Sequence, residues 1–212
     1  MAHRILIVTA VKAEADAVGS IDGAVVVAGG IGRTNAAVTT TTTIQANGPF
    51  DVVINAGVAG SLPDSGLSIG DVVVAHACVY AEEGVITPDG FQDMEAMGFS
   101  LGDFGGNTVP VDTALNDCVG AVGISGSIAT VATCSGTDEQ AALVADRTGC
   151  LCEAMEGAAV VHAARIAGLP AIEIRVISNT TGNRESQKWD LDLALESLGT
   201  AVNTAVTALQ EE

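Results

Sequence analysis

Short apolar runs, each bounded by polar residues or glycine, recur along the chain and alternate with segments of helical spacing. The runs predict buried strands over 5–8, 24–28, 51–55, 71–75, 126–132 and the stretch that begins at Ile172. The helical spacing predicts helices over 11–18, 35–45, 139–147, 154–166 and 191–209. Because strands alternate with helices without a linker or a repeat, we predict one α/β domain over residues 1–212 with a largely parallel or mixed sheet.

Two segments interrupt this alternation. Residues 82–110 contain six glycines, two prolines and little periodicity, which predicts a long excursion of the kind that often forms a lid. Residues 56–61, with the sequence AGVAGS, follow the third predicted strand. Their small side chains predict a loop whose backbone amides a ligand can approach closely.

The composition limits the classes of partner. The 212 residues are 48% hydrophobic but only 3% aromatic, so we expect an aliphatic core. A net charge of -18 argues against nucleic acid or an anionic membrane as partner. The five cysteines lack metal-ligand spacing, so we expect reduced and mostly buried thiols. The apolar run near the N-terminus is too short for a signal segment or a membrane span, and we therefore expect a cytoplasmic protein.

Several common catalytic motifs do not fit. Gly30 and Gly32 precede a helix, but Asn35 stands where a dinucleotide fingerprint needs its third glycine. Ser61 and Ser135 lie in glycine-containing loops without a GxSxG elbow. The three histidines are far apart and have no metal-ligand spacing. We therefore expect neither a cofactor nor a metal ion.

Two carboxylates and one amide remain as candidates for chemistry. Glu14 follows the first predicted strand and Asn179 the strand that begins at Ile172, and ligands of open α/β sheets gather at such strand ends. Taken singly, Glu14 is typical of a solvated helix and Asn179 of a turn cap. Glu156 lies in a predicted helix that is apolar nearly all round, and a buried carboxylate requires hydrogen-bond partners. We expect all three side chains to converge on one cleft.

Five motifs together resemble the purine nucleoside phosphorylase and uridine phosphorylase superfamily, most closely its nucleosidase branch. They are TAVKAEA at 9–15, INAGVAGSL at 54–62, IGDVVVA at 69–75, EAMEGAA at 153–159 and RVISN at 175–179. The resemblance covers nearly the whole chain and implies a single-domain, three-layer fold with a central twisted mixed sheet flanked by helices. It also implies a small-molecule nucleoside substrate and a homodimer or higher homo-oligomer.

The resemblance to methylthioadenosine/S-adenosylhomocysteine nucleosidases implies roles for individual residues. Glu14 would activate the attacking water, while Met155 and Glu156 would hold the ribose. Asn179 departs from that pattern, because those enzymes have an aspartate there. An aspartate can protonate N7 of a 6-aminopurine, whereas an asparagine amide donates to O6 and accepts from N7–H, which matches hypoxanthine. Backbone groups expected to wall the pocket belong to Val58, Ala59, Gly60, Thr133, Cys134 and Ser135.

Asn179, the TTGNR segment at 180–184 and the region of Trp189 are together similar to the futalosine hydrolases of menaquinone biosynthesis. This similarity implies hydrolysis of futalosine to hypoxanthine and dehypoxanthine futalosine. The substrate carries a carboxylate, for which Arg184 or Arg33 is a candidate partner.

Three alternatives remain open at this point. Glu14 favours water as the nucleophile because a carboxylate repels phosphate. Arg33, Arg175 and Arg184 could nevertheless surround an anion, as a purine nucleoside phosphorylase requires. The second alternative is a methylthioadenosine/S-adenosylhomocysteine nucleosidase. The third and more distant one is a non-catalytic nucleoside-binding protein.

Overall fold

Ten strands and six helices follow one another in the computed structural model, which describes residues 3–211. The strands are β1 (Ile5–Thr9), β2 (Ala24–Ala28), β3 (Val52–Ser61), β4 (Val72–Tyr80), β5 (Gly84–Thr87), β6 (Gly90–Asp93), β7 (Thr108–Pro110), β8 (Ile124–Thr130), β9 (Cys152–Ala154) and β10 (Ala171–Thr180). The helices are α1 (Lys12–Val18), α2 (Arg33–Asn47), α3 (Thr113–Val119), α4 (Asp138–Thr148), α5 (Gly157–Ile166) and α6 (Leu191–Glu211). One turn of 3₁₀ helix, Gly120–Val122, follows α3.

The central sheet is mixed and partly closed. Strand β3 pairs with β10, β10 with β4, β4 with β8, β8 with β9, and β9 with β3, so that five strands form a ring. Strands β1 and β2 continue the sheet in parallel from β3, and β7 adds an antiparallel edge to β4. Strands β5 and β6 form a separate hairpin. This arrangement confirms the predicted α/β fold with a mixed sheet.

The core is aliphatic, as the composition predicts. All five residues of β1 are buried, and β10 is buried along nine of its ten residues. Helices α5 and α6 both pack on β3, β4 and β10, α2 packs on α5, and α1 packs on α6. The helices therefore flank the sheet. Within residues 3–211, no helix combines the length and the apolar character that a membrane crossing requires.

Strand β3 changes its neighbour along one edge, and this change creates the space for a site. Residues 52–55 pair with β1, whereas residues 60 and 61 pair with β9. The opposite edge pairs with β10 over almost the whole strand. Between the two pairings, residues 56–59 have no strand beside them on the β1 side. Backbone groups of this segment are thus free to bond side chains.

Two predicted assignments near the site were wrong. Residues 56–61 are not a loop but the second half of β3, because β10 pairs with them. The helix predicted from Ala154 begins at Gly157, since residues 152–154 pair with β3 and β8 as β9. The excursion over 82–110 contains the β5–β6 hairpin and the whole of β7, which the sequence did not predict.

Candidate active site

A cavity of about 290 Å³ opens where β3 leaves β1 and meets β9. It is lined by residues from the ends of several strands, as open α/β sheets favour. Eight of the residues selected from the sequence line it, namely Glu14, Val58, Ala59, Gly60, Cys134, Met155, Glu156 and Asn179. The fold therefore brings together the two carboxylates and the amide from three distant parts of the chain.

Glu14 lies in the first turn of α1 and is only 3% exposed. Its Oε2 accepts hydrogen bonds from the backbone N–H groups of Ala10 (2.9 Å) and Val11 (3.1 Å). Its Oε1 accepts from the N–H of Val58 (2.9 Å), in the part of β3 that has no strand beside it. Three backbone donors thus hold the carboxylate, and an ionised carboxylate retains acceptor sites beyond these bonds. The remaining sites can accept a proton from a water molecule in the cavity.

Arg175 is buried in β10 among acidic and carbonyl oxygens. Its Nε donates to Glu173 (2.7 Å), its Nη1 to the carbonyl oxygen of Val58 (3.2 Å), and its Nη2 to Asn55 (2.6 Å) and Glu156 (3.2 Å). Burial by itself lowers the pKa of Arg175, but the nearby carboxylates, first among them Glu173, raise it to a net value above the ordinary one. The guanidinium therefore stays charged and donates four hydrogen bonds, which suits a role in holding the carboxylates.

Glu156 is the N-cap residue of α5 and directly precedes its first turn. Besides the bond from Arg175, its Oε1 accepts from the backbone N–H of Gly32 (2.9 Å) and its Oε2 from that of Met155 (3.3 Å). The next residue must be glycine, because a Cβ on Gly157 would lie 1.9 Å from Oε2 of Glu173. The buried carboxylate of Glu156 thus has the partners that the sequence required.

Asn179 lies next to the end of β10, just beyond a shift in its register with β3. Its Oδ1 accepts from the hydroxyl of Ser178 (2.9 Å), and its Nδ2 donates to the carbonyl oxygen of Thr180 (2.9 Å). These bonds assign the orientation of the amide, because a carbonyl oxygen cannot donate. One hydrogen on Nδ2 and one lone pair on Oδ1 remain available to a ligand.

Glu153, on β9, is a further buried carboxylate in the cavity wall. Its Oε1 accepts from the backbone N–H of Ser135 and its Oε2 from the hydroxyl of the same residue, both at 2.6 Å. Burial raises the pKa of Glu153, and the charge of Glu82 adds to the rise, while the bonds from Ser135 oppose it. Burial, Glu153 and Glu156 also raise the pKa of the Cys134 thiol. Cys134 is therefore a neutral wall residue and not a nucleophile.

The mouth of the cavity carries an aromatic side chain beneath a cation. Trp189 lines the cavity, is 49% exposed, and forms a backbone bridge with Asn179. The guanidinium carbon of Arg184 lies 4.9 Å from the centroid of the Trp189 ring. Oε1 of Gln187 accepts from both Arg184 Nη1 (3.2 Å) and Trp189 Nε1 (3.1 Å). This stacking is a favourable cation–π geometry that leaves other guanidinium N–H groups toward solvent.

Three selected residues do not line the cavity. Thr133 is exposed, Ser135 lies behind Glu153, and Arg184 stands over Trp189 at the mouth. Arg33, the other candidate for an anionic group, forms an ion pair with Glu83 at 2.6 Å.

Sequence reasoning assigned no role to two polar residues that line the cavity, Glu153 and Ser178. It considered Arg175 only as a possible anion ligand and Trp189 only as part of a resemblance, although both line the cavity. A signal for Arg175 was present, because it interrupts an otherwise apolar strand next to the charged Glu173. A charged residue inside a buried strand requires a partner, and this requirement points to a polar cluster. The sequence alone carried no comparable signal for Glu153, since its environment depends on β9.

The other described clefts are lined by fewer charged side chains. One of about 400 Å³ is lined by Asp103, Asp112 and Arg165, of which Asp103 and Arg165 form an ion pair with each other. A cleft of about 460 Å³ beside α6 has Glu196 as its one charged lining residue, and a cleft of about 450 Å³ beside α1 has Asp16. Across residues 3–211, no group of three or more His, Cys, Asp and Glu side chains is placed to hold a metal ion. The convergence of charged and amide groups therefore selects the cavity at Glu14.

The chain is similar to known proteins over most of its length. The family model described as the phosphorylase superfamily matches residues 17–211. A futalosine hydrolase of Acidothermus cellulolyticus is 37% identical over 93% of this chain and 88% of its own. One of Streptomyces coelicolor is 34% identical over 89% of this chain and 81% of its own. The fold is similar to that of a methylthioadenosine/S-adenosylhomocysteine nucleosidase of Colwellia psychrerythraea in complex with adenine, with a TM-score of 0.83. The two sequences are 22% identical, and the match covers 100% of this chain and 98% of that one.

Proposed function

Because the chain belongs to the phosphorylase superfamily, we propose that it is an N-glycosyl hydrolase of that superfamily and that it cleaves futalosine. The products are hypoxanthine and dehypoxanthine futalosine, an intermediate of menaquinone biosynthesis. The observation that carries this proposal is the presence of Asn179 in one cavity with Glu14 and Glu156. The similarity to two futalosine hydrolases supports it.

The proposed mechanism assigns the attacking water to Glu14. The carboxylate takes a proton from water as the oxygen attacks C1′ of the ribose, where the transition state has oxocarbenium character. Glu156 accepts hydrogen bonds from the ribose hydroxyls, and Met155 packs against the sugar. The backbone groups that wall the pocket belong to Val58, Ala59, Gly60 and Cys134.

The proposed role of Asn179 is to hold the departing base. Its free Nδ2 hydrogen is available for O6 of hypoxanthine, and its free Oδ1 lone pair is available for N7–H. The hydroxyl of Ser178 keeps the amide in this orientation. A 6-aminopurine would instead present its own N–H groups to the Nδ2 hydrogen, so an asparagine disfavours adenine.

Water is the proposed nucleophile because Arg175, the arginine that lines the cavity, is already paired with carboxylates. Arg175 has its guanidinium bonded to Glu156 and Glu173, and Arg33 is paired with Glu83. Phosphate would also meet the carboxylate of Glu14. We therefore expect turnover to be independent of added phosphate.

Arg184 is the proposed partner of the substrate carboxylate. Among the arginines considered from the sequence, it is the one without an ion pair in the described part of the chain. Its position above Trp189 places its guanidinium at the mouth of the cavity. The expected effect of Arg184→Ala is a raised KM for futalosine with little change in kcat, and an unchanged KM would contradict this role.

Assembly and location are also proposals. Ile31 lines the cavity and is 57% exposed, and Val38 on α2 is 56% exposed, so apolar surface is exposed at the cavity and on the helix that follows Ile31. A second copy of the chain that covers this surface would give the homodimer or higher homo-oligomer that the superfamily suggests. Cys78, Cys134, Cys150 and Cys152 form no disulfide, which accords with a reducing compartment such as the cytoplasm. Light scattering on the purified protein tests the assembly, and a monomer would contradict it.

The deciding experiment is chromatographic detection of free hypoxanthine from futalosine, with and without phosphate. Parallel reactions with inosine and methylthioadenosine distinguish the alternatives. Release of hypoxanthine from futalosine without phosphate is the expected result. A requirement for phosphate would indicate a phosphorylase, preferred release of adenine a methylthioadenosine-type nucleosidase, and tight binding without turnover a binding protein.

A further inference from the structure

Glu153 is a buried carboxylate of the cavity for which the proposed mechanism has no use. It lies on β9 opposite Gly60 of β3, and on the other edge of β3 the same glycine is opposite Asn179 of β10. Directly opposed residues on neighbouring strands project to the same face of a sheet. Glu153 and Asn179 therefore stand on either side of Gly60, and both line the cavity.

Gly60 keeps the space between these two side chains open. A Cβ at this position would lie 3.1 Å from Nδ2 of Asn179 and 2.8 Å from Cγ2 of Thr181. With glycine, the floor between the amide and the carboxylate is flat backbone. A planar base held by Asn179 at one edge can thus extend toward Glu153.

Hydrogen-bond capacity remains on Glu153. Ser135 donates one bond to each carboxylate oxygen, from its N–H and from its hydroxyl. These bonds fix the plane of the carboxylate, and an ionised carboxylate has about four acceptor sites, so each oxygen can accept again. Glu153 therefore presents a rigid acceptor, and in its ionised form no donor, to the cavity.

Purines differ at the edge that this acceptor would meet. A 6-oxopurine carries a hydrogen on N1, next to O6 and on the side away from N7. A 6-aminopurine has a lone pair on N1 instead. An ionised carboxylate accepts a hydrogen bond from the first and repels the second.

We propose that Glu153 is a specificity-determining residue that accepts a hydrogen bond from N1–H of a 6-oxopurine while Asn179 holds the O6 and N7 edge. The inference rests on the proposed function, because it places the base at Asn179. Together the two side chains contact N1–H, O6 and N7 of the base, whereas Asn179 alone contacts only O6 and N7. Ser135 acts through Glu153 as a positioning residue.

If Glu153 has this role, the preference for hypoxanthine over adenine depends on whether Glu153 is protonated. Burial raises the pKa of Glu153, so the carboxylate gains a proton at a higher pH than an ordinary glutamate does. The protonated form has an O–H that can donate to N1 of adenine, and the preference for hypoxanthine therefore falls as the pH is lowered through the pKa of Glu153. Glu82, Cys134 and Cys152 interact electrostatically with Glu153, and the thiols stay neutral because their own pKa values are raised.

Calorimetric titration of the full chain with hypoxanthine and with adenine tests the proposal without requiring turnover. Wild-type protein is expected to prefer hypoxanthine at neutral pH and to lose part of that preference on acidification. Glu153→Gln presents both a donor and an acceptor, and we expect it to reduce the preference by about 10–100-fold and to abolish its pH dependence. Glu82→Gln removes a neighbouring charge outside the cavity lining and is expected to keep the preference.

Separate outcomes identify which idea fails. Release of hypoxanthine from futalosine together with an unchanged preference in Glu153→Gln would overturn this inference and leave the proposed function standing. A wild-type protein that prefers adenine, or binds neither base, would overturn the inference as well. The acidification series on wild-type protein needs no variant, and a preference that is constant with pH would overturn it even if Glu153→Gln failed to fold.

Discussion

Individual residues at the site are held mainly by backbone groups and by one arginine. Glu14 accepts three backbone N–H bonds, and Glu156 accepts two together with the bond from Arg175. Such bonds offset the cost of burying the charges and fix the side chains before a substrate binds. The precision of the site therefore depends on small residues that let these groups approach one another.

Glu14→Gln is expected to reduce kcat for futalosine hydrolysis by about 10²–10⁴-fold, the usual cost of removing a general base. The amide cannot take a proton from water, although it fills the same space. Steady-state kinetics measure the effect, and circular dichroism verifies the fold. Asp16→Asn on the same helix is the matched control, because Asp16 is exposed and pairs with Lys12. Near-normal activity of Glu14→Gln would refute the mechanism.

Gly57→Ala is expected to lower activity by up to about 10²-fold, because displacements of roughly 1 Å at a catalytic group have effects of this size. A Cβ on Gly57 would lie 2.6 Å from both Oε1 of Glu14 and Nη1 of Arg175. Gly120→Ala is the control, since its Cβ would have no neighbour within 4 Å. Equal kcat/KM for the two variants would show that the close approach of Glu14 and Arg175 to Gly57 is not needed for activity.

Single site residues could be predicted from the sequence where the neighbouring residues in the chain made them stand out. Glu14, Glu156 and Asn179 could be selected because polar residues at strand ends, or within apolar segments, are unusual. The role proposed for Glu153 could not, because it arises from the pairing of β9 with β3, and this pairing joins residues 93 positions apart. Ser178 could not be recognised either, since its bond to Asn179 depends on the irregular register at the end of β10.

Among the secondary-structure elements, β3 determines where the site forms. Its first residues pair with β1, its last with β9, and the segment between them bonds Glu14 and Arg175. Helix α1 places Glu14 beside this segment, and α6 supports α1. The packing of α1 on α6 is therefore expected to influence both stability and catalysis.

Gly199→Ala is expected to destabilise the fold. Alanine normally favours a helix by about 1 kcal/mol over glycine. At Gly199, however, a Cβ would lie 2.4 Å from the carbonyl oxygen of Ala17 on α1, and overpacking of this kind costs about 1–3 kcal/mol. Urea unfolding measures the change in the free energy of unfolding, and Thr200→Ala, at the exposed neighbouring position, is the control. A more stable Gly199→Ala variant would show that α1 and α6 can move apart to accommodate the added methyl group at little cost.

At the scale of the whole molecule, the acidic surface is the dominant feature. The net charge of -18 repels itself in the compact state, while the ion pairs of residues 3–211 neutralise only a few carboxylates. Salt screens this repulsion. The same charge disfavours nucleic acid and anionic membranes as partners, and it makes the cation at the cavity mouth important for an anionic substrate.

The melting temperature is expected to rise as NaCl increases from about 0.01 M to about 1 M, because the screening length falls from about 30 Å to about 3 Å over this range. Differential scanning fluorimetry at constant pH measures the effect. A flat response would indicate that self-repulsion contributes little to stability.

The sequence by itself determined the fold class, most strands and helices, the family and the three polar residues at the centre of the site. Periodicity, strand-end position and motif spacing are local properties, and a single chain displays them directly. The tertiary structure alone decided that 56–61 is a strand, that Arg175 pairs with Glu156 and Glu173, that Arg33 is paired elsewhere, and that Glu153 stands opposite Asn179 across Gly60. Each of these follows from pairing between distant segments, where the closing of the five-stranded ring sets the neighbours and no local pattern specifies them.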